Sequence, residues 1–318
     1  MNKLDLKDKK ILYELDLNCR QTNAQIAKKV GLSKDSIGYR IKKLEEKNII
    51  SSYTAVINFK KLGIIKQRIL LKVIDINEKE TKELLDFLKK ENNIWGYGDL
   101  EGEWDYSILF LSKSSLQFND FYQRLMGKFR NIIGDKLISE LIYYDELNRD
   151  YIINIDPQRE IPNKFNIEES CIIDEIDEKI LKILSKNSRI KLIDLAQKLN
   201  ISSMLTHQRI KKLEKKKIIL QYKANLNVLE LGRDYYGVKI NLKNYSQKNE
   251  ILNEIYSLNE MTAVLYMVGG YDIEFDLEVL NTKRYHEIIN ILRNKFSSIR
   301  EIKSFRAIDY NISNNFPK

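Results

Sequence analysis

Apolar residues recur at helical spacing along the opening stretch of the chain: Ile11, Leu12 and Leu15, then Ile26, Ala27 and Val30, then Ile37, Ile41 and Leu44. Steps of three and four place each set on one helix face. The pattern predicts a first helix capped by Asp5 or Asp8, a second opened by Thr22 and stopped by Gly31, and a third capped by Ser33 and running to about Lys47. Residues 49–58 read as a short strand or wing. Beyond them the period changes. Residues 68–73, 95–100, 106–111 and 136–144 read as strands, and residues 80–90 and 118–129 as amphipathic helices. That order, β-α-β-β-α-β, is the ferredoxin-like arrangement.

The whole pattern then repeats. Asp8 aligns with Asp177, a shift of 169, and the shift holds without a gap to Leu62-Gly63 against Leu231-Gly232. Arg20 meets Arg189, Tyr53 meets Tyr222, and Arg40-Ile41-Lys42-Lys43-Leu44-Glu45 meets Arg209-Ile210-Lys211-Lys212-Leu213-Glu214. About 25 of some 60 aligned positions are identical, far beyond convergence of basic, Ile-rich sequence. In the second copy Asn200 replaces the turn glycine, Ser202 caps the third helix, Thr206 replaces Ile37 and His207 replaces Gly38. The later parts are more distantly related: Gly102-Glu103-Trp104-Asp105 resembles Gly269-Gly270-Tyr271-Asp272, each preceding an apolar strand-like run. The expected fold class is α+β, with two winged helix-turn-helix domains (1–63 and 173–232) alternating with two ferredoxin-like βαββαβ domains (64–150 and 233–318). Residues 151–172, with Pro157, Pro162 and a polar, acidic stretch, read as a linker.

The 318 residues carry a net charge of +9, which favours polyanionic partners. Cys19 and Cys171 lack C-x-x-C spacing, and His207 and His286 are the only histidines, so neither a metal nor a cofactor is expected. No apolar run reaches membrane-spanning length and the start lacks a signal-peptide core, so the expected location is the cytoplasm.

A helix, a tight turn and a second helix with a basic outer face suit the major groove, where base edges carry distinguishable donors and acceptors. Lys34, Ser36 and Tyr39, near the start of the third helix, are the candidate base readers; Arg40 and Lys43 lie further along, where phosphates are expected. In the second module the candidates are Ser203, Met204, His207, Gln208, Arg209 and Lys212. Gln208 suits adenine, and Lys215-Lys216-Lys217 adds charge near phosphate.

Asp8-x-x-Ile11-Leu12, Arg20, Gly31-Leu32-Ser33, Arg40-Ile41-x-x-Leu44-Glu45 and the turn Gly102-Glu103-Trp104-Asp105 together resemble the Lrp/AsnC family of feast-famine transcriptional regulators. The resemblance covers nearly the whole chain, twice. It implies double-stranded DNA as partner, pairing through the sheet domains, further homo-oligomers, and a small effector such as an amino acid near Gly102, Asp105, Gly269 and Asp272. Family members usually carry one unit. Two fused units imply an intrachain pseudo-dimer, its sheets packed face to face, that reads an imperfect inverted repeat. Siroheme decarboxylases share the unit and act as unlike pairs, so a haem-biosynthesis enzyme is the competing expectation. Its weakness is the absence of a His/Arg cluster or paired carboxylates in the sheet domains, and no enzyme activity is expected. A ligand sensor whose DNA binding has lapsed is a third reading.

Overall fold

The computed structural model describes residues 4–74, 76–161, 170–312 and 316. The first helix-turn-helix comprises α1 (Leu6–Leu17), α2 (Asn23–Val30) and α3 (Lys34–Glu46), followed by β1 (Ile50–Ile57). The next unit runs β2 (Ile65–Val73), α4 (Glu78–Lys90), β3 (Ile94–Gly102), β4 (Tyr106–Ser112), α5 (Ser115–Phe129) and β5 (Ile133–Glu146). The second copy has α6 (Glu175–Lys186), α7 (Leu192–Leu199), α8 (Ser203–Lys215) and β6 (Ile219–Leu226), then β7 (Asp234–Leu242), α9 (Lys248–Tyr256), β8 (Met261–Val268), β9 (Ile273–Val279), α10 (Thr282–Lys295) and β10 (Ile299–Ile312).

The capping chemistry explains the helix starts. Asp5 and Thr22 each form a reciprocal capping box, with Asp8 and Gln25, and Ser33 and Ser202 accept from the backbone N–H groups of Ser36 and Leu205. Gly31 ends α2 at φ +70°, and Asn200 ends α7 at φ +54°. Buried Thr206 satisfies its hydroxyl by donating to the Ser202 carbonyl at 2.9 Å.

Residues 50–57 do not form a hairpin wing of their own. β1 pairs antiparallel with β6, so the two helix-turn-helix modules share one ribbon, and one apolar core runs through both. Thr54 lies directly opposite Lys223, its own repeat equivalent. A pseudo-twofold axis therefore passes through the ribbon, and the surrounding contacts obey it. Cys19 N–H donates to Tyr222 O at 2.9 Å and Ser188 N–H to Tyr53 O at 2.8 Å. Arg20 donates to Ser188 O and Arg189 to Cys19 O, each at 2.6 Å. The guanidinium groups lie over Tyr222 and Tyr53. Such reciprocity is what an isologous dimer interface requires, here within one polypeptide.

The strand-rich body departs from the expected face-to-face sheets. All eight strands close into one barrel, β10-β3-β4-β2-β5-β8-β9-β7, joined by the β5–β8 and β3–β10 pairings between halves. Each half alone would leave two strand edges with unpaired backbone groups, and closure satisfies both. Alternate residues of the strands pack against α4 and α5 in one half and α9 and α10 in the other; the opposite faces of both halves line the barrel interior. The segment after β5 is no loose tether at its start: Tyr151 and Ile152 are buried in the helix-turn-helix core, and Arg159 bonds Asp150 and the carbonyls of Asn148, Leu258 and Met261. Residues 162–169 of the expected linker, including Pro162, fall outside the described residues.

Candidate nucleic-acid interface

Charge is partitioned between the two layers. Residues 1–63 hold 14 Lys/Arg against 7 Asp/Glu, and residues 173–232 hold 13 against 7. The remainder of the chain is net acidic, so the positive potential belongs to the helix-turn-helix layer.

α3 and α8 bury Ile37, Ile41, Leu44 and Thr206, Ile210, Leu213, and turn the opposite faces to solvent. Lys34, Tyr39, Lys43, Met204, His207, Gln208 and Lys212 are exposed; Ser36 and Ser203 are half-buried. The structure thus brings the candidate base readers onto two outward surfaces related by the pseudo-twofold. Arg40 and Arg209 are differently placed. Arg40 reaches back to Asp5 at 2.8 Å and Asp8 at 2.6 Å, and Arg209 to Asp174 at 2.6 Å and Asp177 at 2.9 Å. Each clamps a recognition helix to the capped start of its module's first helix. The backbone N–H of Asp8, then Arg40, holds the Asp5 carboxyl below its usual range, and Asp174 is held down in the same way. The expected phosphate contact of these arginines competes with those ion pairs; Lys43 and Lys212 are exposed on the outer faces of α3 and α8.

The glycine turns converge at one end of the barrel, where Tyr271 donates to Glu103. Gly102 has φ +130°, and a Cβ there would stand 2.8 Å from the Ser304 carbonyl. At Gly269 (φ +82°) it would stand 3.1 Å from the carbonyl of Ile138. Each turn lies against the last strand of the other half, so both glycines permit barrel closure. Asp105 accepts from Val73 N–H at 2.8 Å and Asp272 from Leu242 N–H at 2.7 Å, equivalent strand-end caps in the two copies. The copies differ in access. Asp105 is further held by Lys72 at 2.7 Å beside buried Trp104. Asp272, which also accepts from the Tyr245 hydroxyl at 2.6 Å, borders a cleft of about 220 Å³, with Lys248, Leu252, Tyr266, Met267 and Glu274.

Sequence reasoning missed the barrel interior. Ile273, Phe275, Leu277 and Val279 face the helices, so Glu274, Asp276 and Glu278 point inward and are buried. Glu274 pairs with buried Arg68 at 2.6 Å across the two halves. Burial pushes the Asp276 carboxyl up to about 7. Burial and the neighbouring Arg68 bring the Lys239 ammonium down to about 7. Arg149 bonds Glu278 at 2.9 Å and Asp16 of α1 at 2.7 Å, tying barrel to helix-turn-helix. Strict alternation of acids with apolar residues in β9 was the available signal; it ordinarily marks a solvent face.

Among the described residues no helix is long and apolar enough to cross a membrane. The winged helix-turn-helix DNA-binding family matches residues 4–51 and 173–219. An uncharacterised HTH-type transcriptional regulator of Pyrococcus furiosus is 35% identical over 132 residues, covering 41% of this chain and 86% of that protein. The regulatory protein AsnC of Haemophilus influenzae is 29% identical over 137 residues, covering 43% of this chain and 89% of its own. Over 96% of this chain and 91% of its own, the crystal structure of the siroheme decarboxylase NirDL superposes with a TM-score of 0.64 at 11% identity, which shows a shared fold. With two matched helix-turn-helix modules, each on a reciprocal half of one pseudo-symmetric body, and single-unit regulators aligning over most of their own length, the chain belongs to the Lrp/AsnC family of helix-turn-helix transcriptional regulators.

Proposed function

We propose that the chain is a sequence-specific regulator that binds double-stranded DNA as a self-contained pseudo-dimer, laying α3 and α8 into major-groove segments of one site. The carrying observation is the pseudo-twofold that relates two exposed basic helices through the β1–β6 ribbon. Lys43 and Lys212 meet phosphates; Arg40 and Arg209 chiefly hold the helices in position. Selection from a random duplex library at stated salt tests this: a recovered motif bound with steep salt dependence supports it, and recovery of no motif refutes it. The two barrel halves are read as merged ferredoxin-like units, and the protein as cytoplasmic.

The effector reading narrows to the second half. Lys248 offers a cation for a carboxylate, and Asp272 an acceptor for an ammonium, in a cleft of amino-acid size. A panel of amino acids in thermal-shift assays, repeated on Lys248→Ala, tests it; no stabilisation by any of them sinks it. The whole-chain fold shared with a siroheme decarboxylase, together with the charged barrel interior, supports an enzyme as second reading. Added siroheme that neither changes its visible spectrum nor releases CO2 removes that reading.

A further inference from the structure

Aligned at the 169-residue shift, α3 and α8 divide sharply. The first six positions all differ, Lys34-Asp35-Ser36-Ile37-Gly38-Tyr39 against Ser203-Met204-Leu205-Thr206-His207-Gln208, and the next six are identical. Of the differing positions only Ile37 and Thr206 are buried. Core packing therefore does not account for the divergence. Apart from the final residue of each helix, Glu46 against Lys215, it falls on the helix starts, the part of such a helix that meets base edges, while the lysines placed for phosphate are retained. The exposed chemistry also changes kind. α3 presents a cation, a carboxylate and two hydroxyls: Lys34, Asp35, Ser36 and Tyr39. α8 presents Met204, 71% exposed, and Leu205, 38% exposed, beside Gln208. Two neighbouring apolar side chains left in water at a basic surface call for an apolar partner.

We propose that this chain reads an asymmetric DNA site in one fixed orientation, with α3 on a G·C-bearing half-site and α8 on an A·T half-site recognised through thymine methyl groups. The proposal rests on the DNA-binding reading above and deepens it. Lys34 supplies donors for guanine O6 and N7, and Asp35 an acceptor for the cytosine N4 amine. Met204 and Leu205 cover thymine methyls, and Gln208 matches the adenine N6/N7 pair. A symmetric dimer on a palindrome has no direction. This pseudo-dimer has one, and the second half, with the cleft beside Asp272, is presented on the A·T side of every site.

The full chain is put through duplex selection at fixed salt. Two unlike half-sites are expected, one containing G·C and one A·T, with inversion of either half weakening binding roughly tenfold or more. Replacing thymine by deoxyuridine in the A·T half, which removes only the methyl, should weaken wild type severalfold and leave Met204→Ala/Leu205→Ala unaffected. Grafting the exposed residues of α3 onto α8 (Ser203→Lys, Met204→Asp, Leu205→Ser, Gln208→Tyr) should convert the preferred site to a near-perfect inverted repeat. All four grafted positions lie outside the buried core, so the fold is retained. A perfect inverted repeat or a lone half-site selected by wild type overturns the proposal, as does indifference to deoxyuridine. Recovery of no motif overturns the DNA-binding reading itself, and the proposal with it.

Discussion

Arg149→Met isolates the link between the barrel and the first helix-turn-helix. The guanidinium serves two buried carboxylates at once, Asp16 (0% exposed) and Glu278 (1% exposed). Methionine keeps much of the volume and removes the charge. Leaving a buried ion unpaired costs about 3–5 kcal/mol. Two acids are stranded, yet each keeps some compensation. Lys223 stands 3.5 Å from Asp16, the Arg149 backbone N–H still donates to it, and the Tyr151 hydroxyl still donates to Glu278. The expected loss is therefore about 4 kcal/mol rather than twice that. Urea unfolding at neutral pH measures it. Glu278→Gln added to Arg149→Met should recover part of the loss, because a neutral amide needs no counter-ion. Acidification supplies a second check. Burial alone would raise the Asp16 carboxyl; Lys223 and Arg149 outweigh it and hold it below its ordinary value. In wild type its stabilisation is present above the ordinary Asp range and is lost as pH falls through the folded value. In the variant Asp16 loses one of the two cations that hold it down and protonates more readily, so the gap to wild type should narrow on acidification. A loss under about 1 kcal/mol, or a double variant weaker than the single one, would refute the assignment of Arg149 as a shared counter-ion.

Lys43→Ala and Lys212→Ala should each lower the slope of log affinity against log salt by about one while leaving sequence preference intact, measured by titration at several salt concentrations. Arg40→Ala should instead cost about 1 kcal/mol of folding stability in urea, from two partly exposed ion pairs, with a smaller change in salt slope. Gly31→Ala, at φ +70°, should destabilise by about 1 kcal/mol, whereas Asn200→Gly should be neutral or slightly stabilising; thermal unfolding compares them. Asp276 is an acid raised to about 7 by burial, so the folded state holds a proton that the unfolded state has released. Its contribution should fall as pH rises from about 4 toward 7, and Asp276→Asn should flatten that part of the stability profile.

Much of the helix-turn-helix layer was legible in the residues. Periodicity placed its helices, side-chain oxygens at Asp5, Thr22 and Ser33 marked starts, and the left-handed tolerance of Gly31 and Asn200 marked stops, because these are local effects carried by neighbours in sequence. Arg40 and Arg209 were harder to assign. A basic residue on an outward helix face looks the same in sequence whether it meets a phosphate or an aspartate 35 positions away. The same ambiguity hid β9. Its alternating acids match an exposed strand until closure of the barrel puts their face inside, opposite Arg68 and beside Arg149.

The repeat at a constant shift by itself determined that the chain holds two related units, each opening with a DNA-reading motif, since identity at that density survives only common descent. It also carried the split between unlike helix starts and the shared Arg-Ile-Lys-Lys-Leu-Glu run that follows them. Tertiary structure alone decided how the units meet: a shared β1–β6 ribbon on a pseudo-twofold, and one closed barrel in place of two facing sheets. Strand edges are satisfied by backbone hydrogen bonds, which nearly any residue can make, so edge pairing between distant segments leaves little trace in the order of side chains.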